Sequence, residues 1–256
     1  MESNRDYESA AIYKWRKKRK KAFILFICIV GICFLVTRMV RVEDKTTVKV
    51  HNMYTEQNEK AIRYVASNMI KEDPKIAITF DDGPSPAWTP QLLDGLKERN
   101  VKATFFLIGE NAKNNPELVK REAEEGHLIG NHTYHHVEIT RVPDETAQEE
   151  ILMTNEVITG ITGEEVSYMR PPFGVWQKNL ARKLDVMPVL WTIDPLDWTT
   201  DNEDEIINKV VTQAGENDII LLHDCYESSV NAALRIVDIL QKEGFGFVTV
   251  DELIMN

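Results

Sequence analysis

The chain has 256 residues, 43% hydrophobic and 28% charged, a globular composition long enough for one full-size domain and an appendage. The net charge of −11 is unevenly spread: residues 1–41 carry ten Lys/Arg against three acids (+7), and the remainder carries 20 against 38 (−18). So acidic a domain argues against nucleic acid as a partner, because phosphates would be repelled, and suits a neutral or cationic polymer.

In chain order, the first signal is a basic flank, Lys14 to Lys21, followed by the uncharged run AFILFICIVGICFLVT from Ala22 to Thr37. Met39 and Val40 extend the run and Arg38 can snorkel. The expectation is a cytoplasmic basic tail over 1–21, a transmembrane signal anchor over 22–40, and the rest of the chain outside the cell membrane. A cleaved signal peptide is the competing reading, but Leu35-Val36-Thr37-Arg38 offers no small-x-small cleavage site. Cys28 and Cys33 fall in the apolar run, leaving Cys225 without an intramolecular partner in the exterior part. Residues 41–73 read as a stalk. It carries an amphipathic helix over 55–71, with Ala61, Ile62, Val65, Ala66, Met69 and Ile70 on one face, ended by Asp73-Pro74.

From residue 74 to 256 short apolar runs alternate with helical patterns. Strands are expected at 76–80, 103–108, 127–131, 167–170, 186–193, 218–223 and 246–250. Helices are expected at 88–99, 116–125, 143–159, 177–184, 203–214 and 228–242. Apolar strands alternating with helices point to parallel strands buried on both faces. The expected fold is therefore α/β: a distorted or incomplete (β/α) barrel of about seven parallel strands, preceded by one transmembrane helix. In such barrels chemistry lies at the C-terminal strand ends, and the polar clusters of this chain follow its strands.

The first strand runs into Thr79-Phe80-Asp81-Asp82-Gly83-Pro84. Two adjacent carboxylates at a strand end can take different tasks, one on a metal and one on a proton. The third strand is followed by Asn131-His132-Thr133-Tyr134-His135-His136; His132 and His136 are spaced to offer two ring nitrogens to one metal, and His135 is off register. After the fourth comes Arg170-Pro171-Pro172-Phe173-Gly174, whose Arg is costly to bury without a carboxylate. After the fifth comes Asp194-Pro195-Leu196-Asp197-Trp198, and the sixth ends Leu221-Leu222-His223-Asp224. Trp198 could line a sugar groove, whereas Trp191 reads as core.

TFDDGP, HTYHH, RPPFG, DPLDW and LLHD, in that order, resemble the five motifs of the NodB-type polysaccharide deacetylases, carbohydrate esterase family four, over about residues 74–252. The resemblance implies Asp81 as general base, Asp82, His132 and His136 as ligands of a divalent metal, and Arg170 as the residue that orients the base. It further implies His223 as general acid, Asp194 as the carboxylate tuning it, Leu221 as a wall of the acetyl pocket and the Phe173 N–H as an oxyanion donor. The metal suits Zn²⁺, with Co²⁺ or Ni²⁺ also fitting such ligands. The implied reaction is N-deacetylation of N-acetylglucosamine units in a cell-surface polysaccharide. A membrane tether makes peptidoglycan the polymer within reach. Chitin-type polymers and O-acetyl xylan are the alternatives within the family, and a non-catalytic glycan-binding or assembly protein is the alternative of another class. A monomer is assumed.

Overall fold

The computed structural model describes residues 58–60, 73–176, 180 and 184–255. The basic tail, the apolar run at 22–40 and most of the helix expected at 55–71 lie outside them; residues 58–60 are helical and exposed. Among the described residues no helix is long and apolar enough to cross a membrane. Residues from Glu72 to Asn256 form one compact unit.

Seven strands, β1 (Lys75–Asp81), β2 (Thr104–Leu107), β3 (Leu128–Asn131), β4 (Tyr168–Met169), β5 (Met187–Pro188), β6 (Ile219–His223) and β7 (Gly246–Phe247), form one sheet in which every pairing is parallel. The order is β5-β4-β3-β2-β1-β6, with β7 paired to the start of β1. Helices α1 (Thr89–Glu98), α2 (Gly109–Asn114), α3 (Pro116–Glu124), α4 (Asp144–Thr162), α5 (Glu203–Val211), α6 (Glu227–Glu243) and α7 (Val250–Met255) connect or follow the strands. The sheet curls so far that the chain after β5 meets β6 at an Ile193–Ile220 bridge, where the Leu221 N–H donates to Ile193 O at 2.9 Å. A continuous strand over 186–193 was the sequence expectation. Only residues 187–188 and the bridge at 193 are ladder; beside the bridge the Thr192 and Ile193 N–H groups both donate to Ile219 O, at 3.0 and 3.2 Å, so this side of the barrel closes over a short stretch and stays distorted.

β1 explains why the apolar runs look unbroken. Ile76, Ile78 and Phe80 face the helices and join Leu92, Leu93, Leu96, Ile206, Val210, Ile236 and Leu240 in the main core. Ala77 faces the interior with Phe106, Val189 and Val250, and Thr79 and Asp81 share its parity. Both faces of the strand are thus buried, as parallel sheets require. α4 ends at the left-handed Gly163 and α6 at the left-handed Gly244, positions that favour glycine. α5 starts at Asn202, whose side chain accepts the Asp204 and Glu205 N–H groups.

Register places the chemistry. Asp81 pairs with Phe106 on one side and His223 on the other, and Leu107 pairs with Asn131. The motif residues therefore emerge at one level, at the C-terminal end of the barrel.

Candidate active site

Asp82 leaves β1 with φ 70°, a left-handed conformation that costs a non-glycine residue about 1–3 kcal/mol. The turn is held by Asn111 of α2, whose side-chain amide donates to Asp82 O at 2.8 Å, and by the Ile108 N–H on Gly83 O at 3.1 Å. Gly83 leaves no room for a side chain: a Cβ there would lie 2.5 Å from Asp224 Oδ1.

Asp82 Oδ1 lies 3.3 Å from His132 Nε2 and 3.4 Å from His136 Nε2. That oxygen is buried and accepts no hydrogen bond. His132 Nδ1 is 2.6 Å from the Arg170 carbonyl, which fixes the ring proton on Nδ1 and leaves Nε2 with its lone pair free. Ligand atoms at about 2.0–2.1 Å from a tetrahedral centre lie about 3.3–3.4 Å from one another, so the spacing found here fits a cation such as Zn²⁺. Burial holds the His136 pKa below its ordinary value, which favours the neutral, ligating ring. The Asp82 carboxylate is held below its ordinary range, burial being outweighed by His132 and by the charges of His223 and His136. Asp82, His132 and His136 are the cluster that could hold a metal among the described residues.

Behind this cluster Arg170 is completely buried. Its Nη1 donates to Asp81 Oδ1 at 2.8 Å and to Thr79 Oγ1 at 2.6 Å, and Nε and Nη2 donate to the Val189 and Leu190 carbonyls at 3.3 and 3.2 Å. The Thr79 hydroxyl in turn donates to Ile220 O at 2.6 Å. Burial lowers the guanidinium pKa, against the opposing charge of Asp81. The ion pair expected from the strand-ending Arg is thus made, and made with Asp81.

His223 is turned by Asp197, not by Asp194. Asp197 Oδ1 is 2.8 Å from His223 Nδ1, whereas Asp194 Oδ1 accepts the Leu196 N–H at 2.9 Å in its own loop. Leu196 adopts φ 57°, and this left-handed step before a short 3-10 turn at Asp197–Thr199 swings Asp197 inward to near-complete burial. Burial alone would lower the His223 pKa; Asp197 and the Asp81 and Asp82 charges carry it up to about 9.

A cavity of about 440 Å³ opens over these groups, with Leu221, Phe173 and Trp198 in its wall. Leu221 is buried, while Phe173 and Trp198 are exposed at the rim. Phe173 is left-handed (φ 61°), and its ring meets His136 edge-on at 5.0 Å. Trp191 and Tyr226 also line the cavity, Tyr226 with its ring 6.3 Å from His223. Tyr226 follows a strand-end motif by three residues, a placement that could have marked it. His135 lies outside the cluster, bonded through Nδ1 to Glu150 at 2.7 Å. Burial pushes the Cys225 thiol up to about 12, so it stays neutral.

A parallel barrel whose C-terminal end joins an Asp-His-His cation site to an Asp/Arg pair and an Asp/His pair has the arrangement of a metal-dependent hydrolase. The sequence profile of the polysaccharide deacetylases matches residues 68–189. Peptidoglycan-N-acetylglucosamine deacetylase PgdA of Listeria monocytogenes is 37% identical over 216 residues, covering 82% of this chain and 46% of that protein. A peptidoglycan-N-acetylglucosamine deacetylase of Bacillus cereus is 39% identical over 186 residues, 70% of this chain and 68% of that one. The solved structure of peptidoglycan deacetylase PdaC from Bacillus subtilis superposes with a TM-score of 0.70 at 38% identity, over 72% of this chain and 91% of that one. The chain belongs to the polysaccharide deacetylase family. It spans less than half the length of the Listeria relative.

Proposed function

We infer that this protein hydrolyses the acetamide of N-acetylglucosamine units in a cell-surface polymer, with peptidoglycan as the polymer. The observation that carries this reading is the buried, unpartnered Asp82 Oδ1 flanked by two imidazole Nε2 atoms, beside Asp81 and His223 on adjacent strands in register. The relatives support the substrate: those from Listeria monocytogenes and Bacillus cereus are peptidoglycan-N-acetylglucosamine deacetylases.

Asp82, His132 and His136 would hold the divalent cation, with Zn²⁺ the ion their donors suit best. Bound there, it supplies a Lewis acid that polarises the acetyl carbonyl and lowers the pKa of a water. Asp81, fixed by Arg170, takes a proton from the attacking water as its oxygen bonds to the carbonyl carbon. The Phe173 N–H donates to the oxyanion that forms. His223, with Nδ1 committed to Asp197, delivers its Nε2 proton to the nitrogen as the C–N bond breaks, since an amide anion is a very poor leaving group. The products are acetate and a free amine. Leu221 walls the acetyl methyl, and Trp198 stacks on a sugar ring at the rim. The basic flank at 14–21 and the uncharged run after it support a single-pass anchor with this domain outside the cell.

The test is acetate release by the purified full-length chain from peptidoglycan and from N-acetylglucosamine oligomers, with chelated and Asp82→Ala protein as controls. Release abolished by chelator and restored by Zn²⁺ is expected, faster on peptidoglycan. No release from either polymer by metal-loaded protein would overturn the reading.

A further inference from the structure

Glu150 lies in the middle of α4, a helix with an exposed face, yet it is only 7% exposed. Its carboxylate is turned on to the loop between the two histidines of the cation site. Oε2 accepts the Tyr134 N–H at 3.0 Å and the His135 N–H at 2.8 Å, and Oε1 is 2.7 Å from His135 Nδ1. At Ile151 and again at Asn155, the same helix ties the residue that leads into the loop. Asn131 Nδ2 donates to Ile151 O at 2.8 Å and to Asn155 Oδ1 at 2.7 Å, while Asn131 Oδ1 accepts the Thr133 N–H at 2.7 Å. The loop needs such holding. Thr133 and His136 both adopt positive φ, 63° and 56°, and for the β-branched Thr133 that conformation is strained.

We propose that Glu150 is the positioning residue of the cation site. Its buried carboxyl on α4 locks residues 132–136, through the Tyr134 and His135 N–H groups and the His135 ring, in the conformation aiming both Nε2 atoms at Asp82 Oδ1. Outer partners that orient ligands raise affinity because less ordering remains to be done when the ion binds. His135 is then the far half of the lock rather than a ligand. This inference rests on the Asp82–His132–His136 cluster being a cation site.

The experiment is a Zn²⁺ titration of the full-length chain against a competing chelator, for wild type, Glu150→Gln, Glu150→Ala and Asp82→Ala. Circular dichroism and the melting temperature of each metal-free protein are recorded alongside. Glu150→Gln keeps one oxygen for the two backbone amides but loses the charge and presents its NH₂ towards His135, so it tests the lock with little risk to folding. The expected result is weaker Zn²⁺ binding in Glu150→Ala by roughly 10–100-fold, with Glu150→Gln between it and wild type. Activity of both should return at saturating Zn²⁺, and Asp82→Ala should bind none. Folded Glu150 variants that bind Zn²⁺ within about twofold of wild type would overturn the inference and leave the cation site standing; so would a lowered metal-free melting temperature with unchanged affinity, which marks a purely structural side chain. A wild-type chain that binds no Zn²⁺ would overturn the cation site itself and this inference with it.

Discussion

Asp197 grips His223 at two points: Oδ1 is 2.8 Å from ring Nδ1, and Oδ2 accepts the backbone N–H of the same residue at 2.9 Å. One buried carboxylate therefore sets both the position of the strand end and the rotation of the ring on it. Nε2 is left as the atom that faces the cavity.

The raised His223 pKa gives a signed pH prediction. In the proposed reaction His223 acts in its protonated form, so kcat/KM should fall as pH rises through its pKa, about 9 in the cation-free site; a cation bound at Asp82 moves that limb down. Asp197→Asn removes the charge that holds the proton, and the limb should move to lower pH, with a rate at pH 8 about tenfold or more below wild type. Asp194→Asn should leave the limb where it is. The pH profiles of the two variants decide between the carboxylates, and a limb that moves in Asp194→Asn instead would reverse the assignment. Linkage has the same sign: the raised pKa stabilises the fold below the unfolded value near 6.5, and that contribution fades as pH climbs towards 9.

The family resemblance places the carboxylate partner of His223 at Asp194, where the structure has Asp197. DPLDW holds two acids three residues apart after one strand, and spacing alone does not say which turns inward. The left-handed Leu196 decides it, and backbone hand at a leucine is not written in hydrophobic pattern. The strands were legible because a parallel barrel buries both faces of each, leaving unbroken apolar runs such as Ile76 to Ile78. α2 was not legible: GENAKN is six residues with little apolar periodicity, yet its Asn111 holds the Asp82 turn. Glu150 and Thr79 were missed for a related reason. Their tasks are set by which helix or strand comes to lie beside them, a tertiary fact.

Arg170 and Thr79 form one unit with Asp81. Arg170→Met would leave Asp81 buried without its cation, and breaking a buried pair in this way costs about 3–5 kcal/mol. The variant is expected to melt well below wild type and to release no acetate. Thr79→Val is milder: it strips one acceptor from Arg170 Nη1 and one donor from Ile220 O, a cost of about 1–3 kcal/mol. Turnover should drop several-fold in Thr79→Val and recover in Thr79→Ser, which keeps the hydroxyl. Equal turnover in the Val and Ser variants would show that the hydroxyl has no part in holding the base.

Gly83→Ala tests the support beneath Asp82, the proposed metal ligand. The new Cβ would meet both Asp224 carboxylate oxygens, at 2.5 and 2.6 Å. Asp224 cannot swing away freely, because Thr89 donates to its Oδ2 and Thr89 also accepts the Ser85 N–H. The turn must give instead, and overpacking of this kind costs about 1–3 kcal/mol. The variant should lose both melting temperature and Zn²⁺ affinity, read by thermal scan and chelator competition. If affinity is unchanged while stability falls, the turn is adjusting without moving Asp82.

Two buried carboxyls outside the reaction give the last prediction. Glu122 of α3 is fully buried with neither oxygen hydrogen-bonded, and Asp224 is fully buried with Oδ1 unpartnered. Burial, with the Asp224 charge nearby, pushes Glu122 well above the usual carboxylate range, and burial, opposed by the Thr89 hydrogen bond, carries Asp224 up to about 7. The sign follows from linkage. Each group holds its proton more firmly in the folded than in the unfolded chain, so stability is greatest below pH 4 on this account and declines as pH rises from about 4 towards 7. Glu122→Met removes the carboxyl and keeps a similar volume, relieving an unsatisfied buried group that costs about 1–3 kcal/mol. At about 2–4 °C per kcal/mol for a domain of this size, the melting temperature at pH 8 should rise by several degrees, and the gain should shrink at pH 5. A variant that melts lower than wild type at pH 8 would overturn the reading of Glu122 as an unsatisfied buried acid.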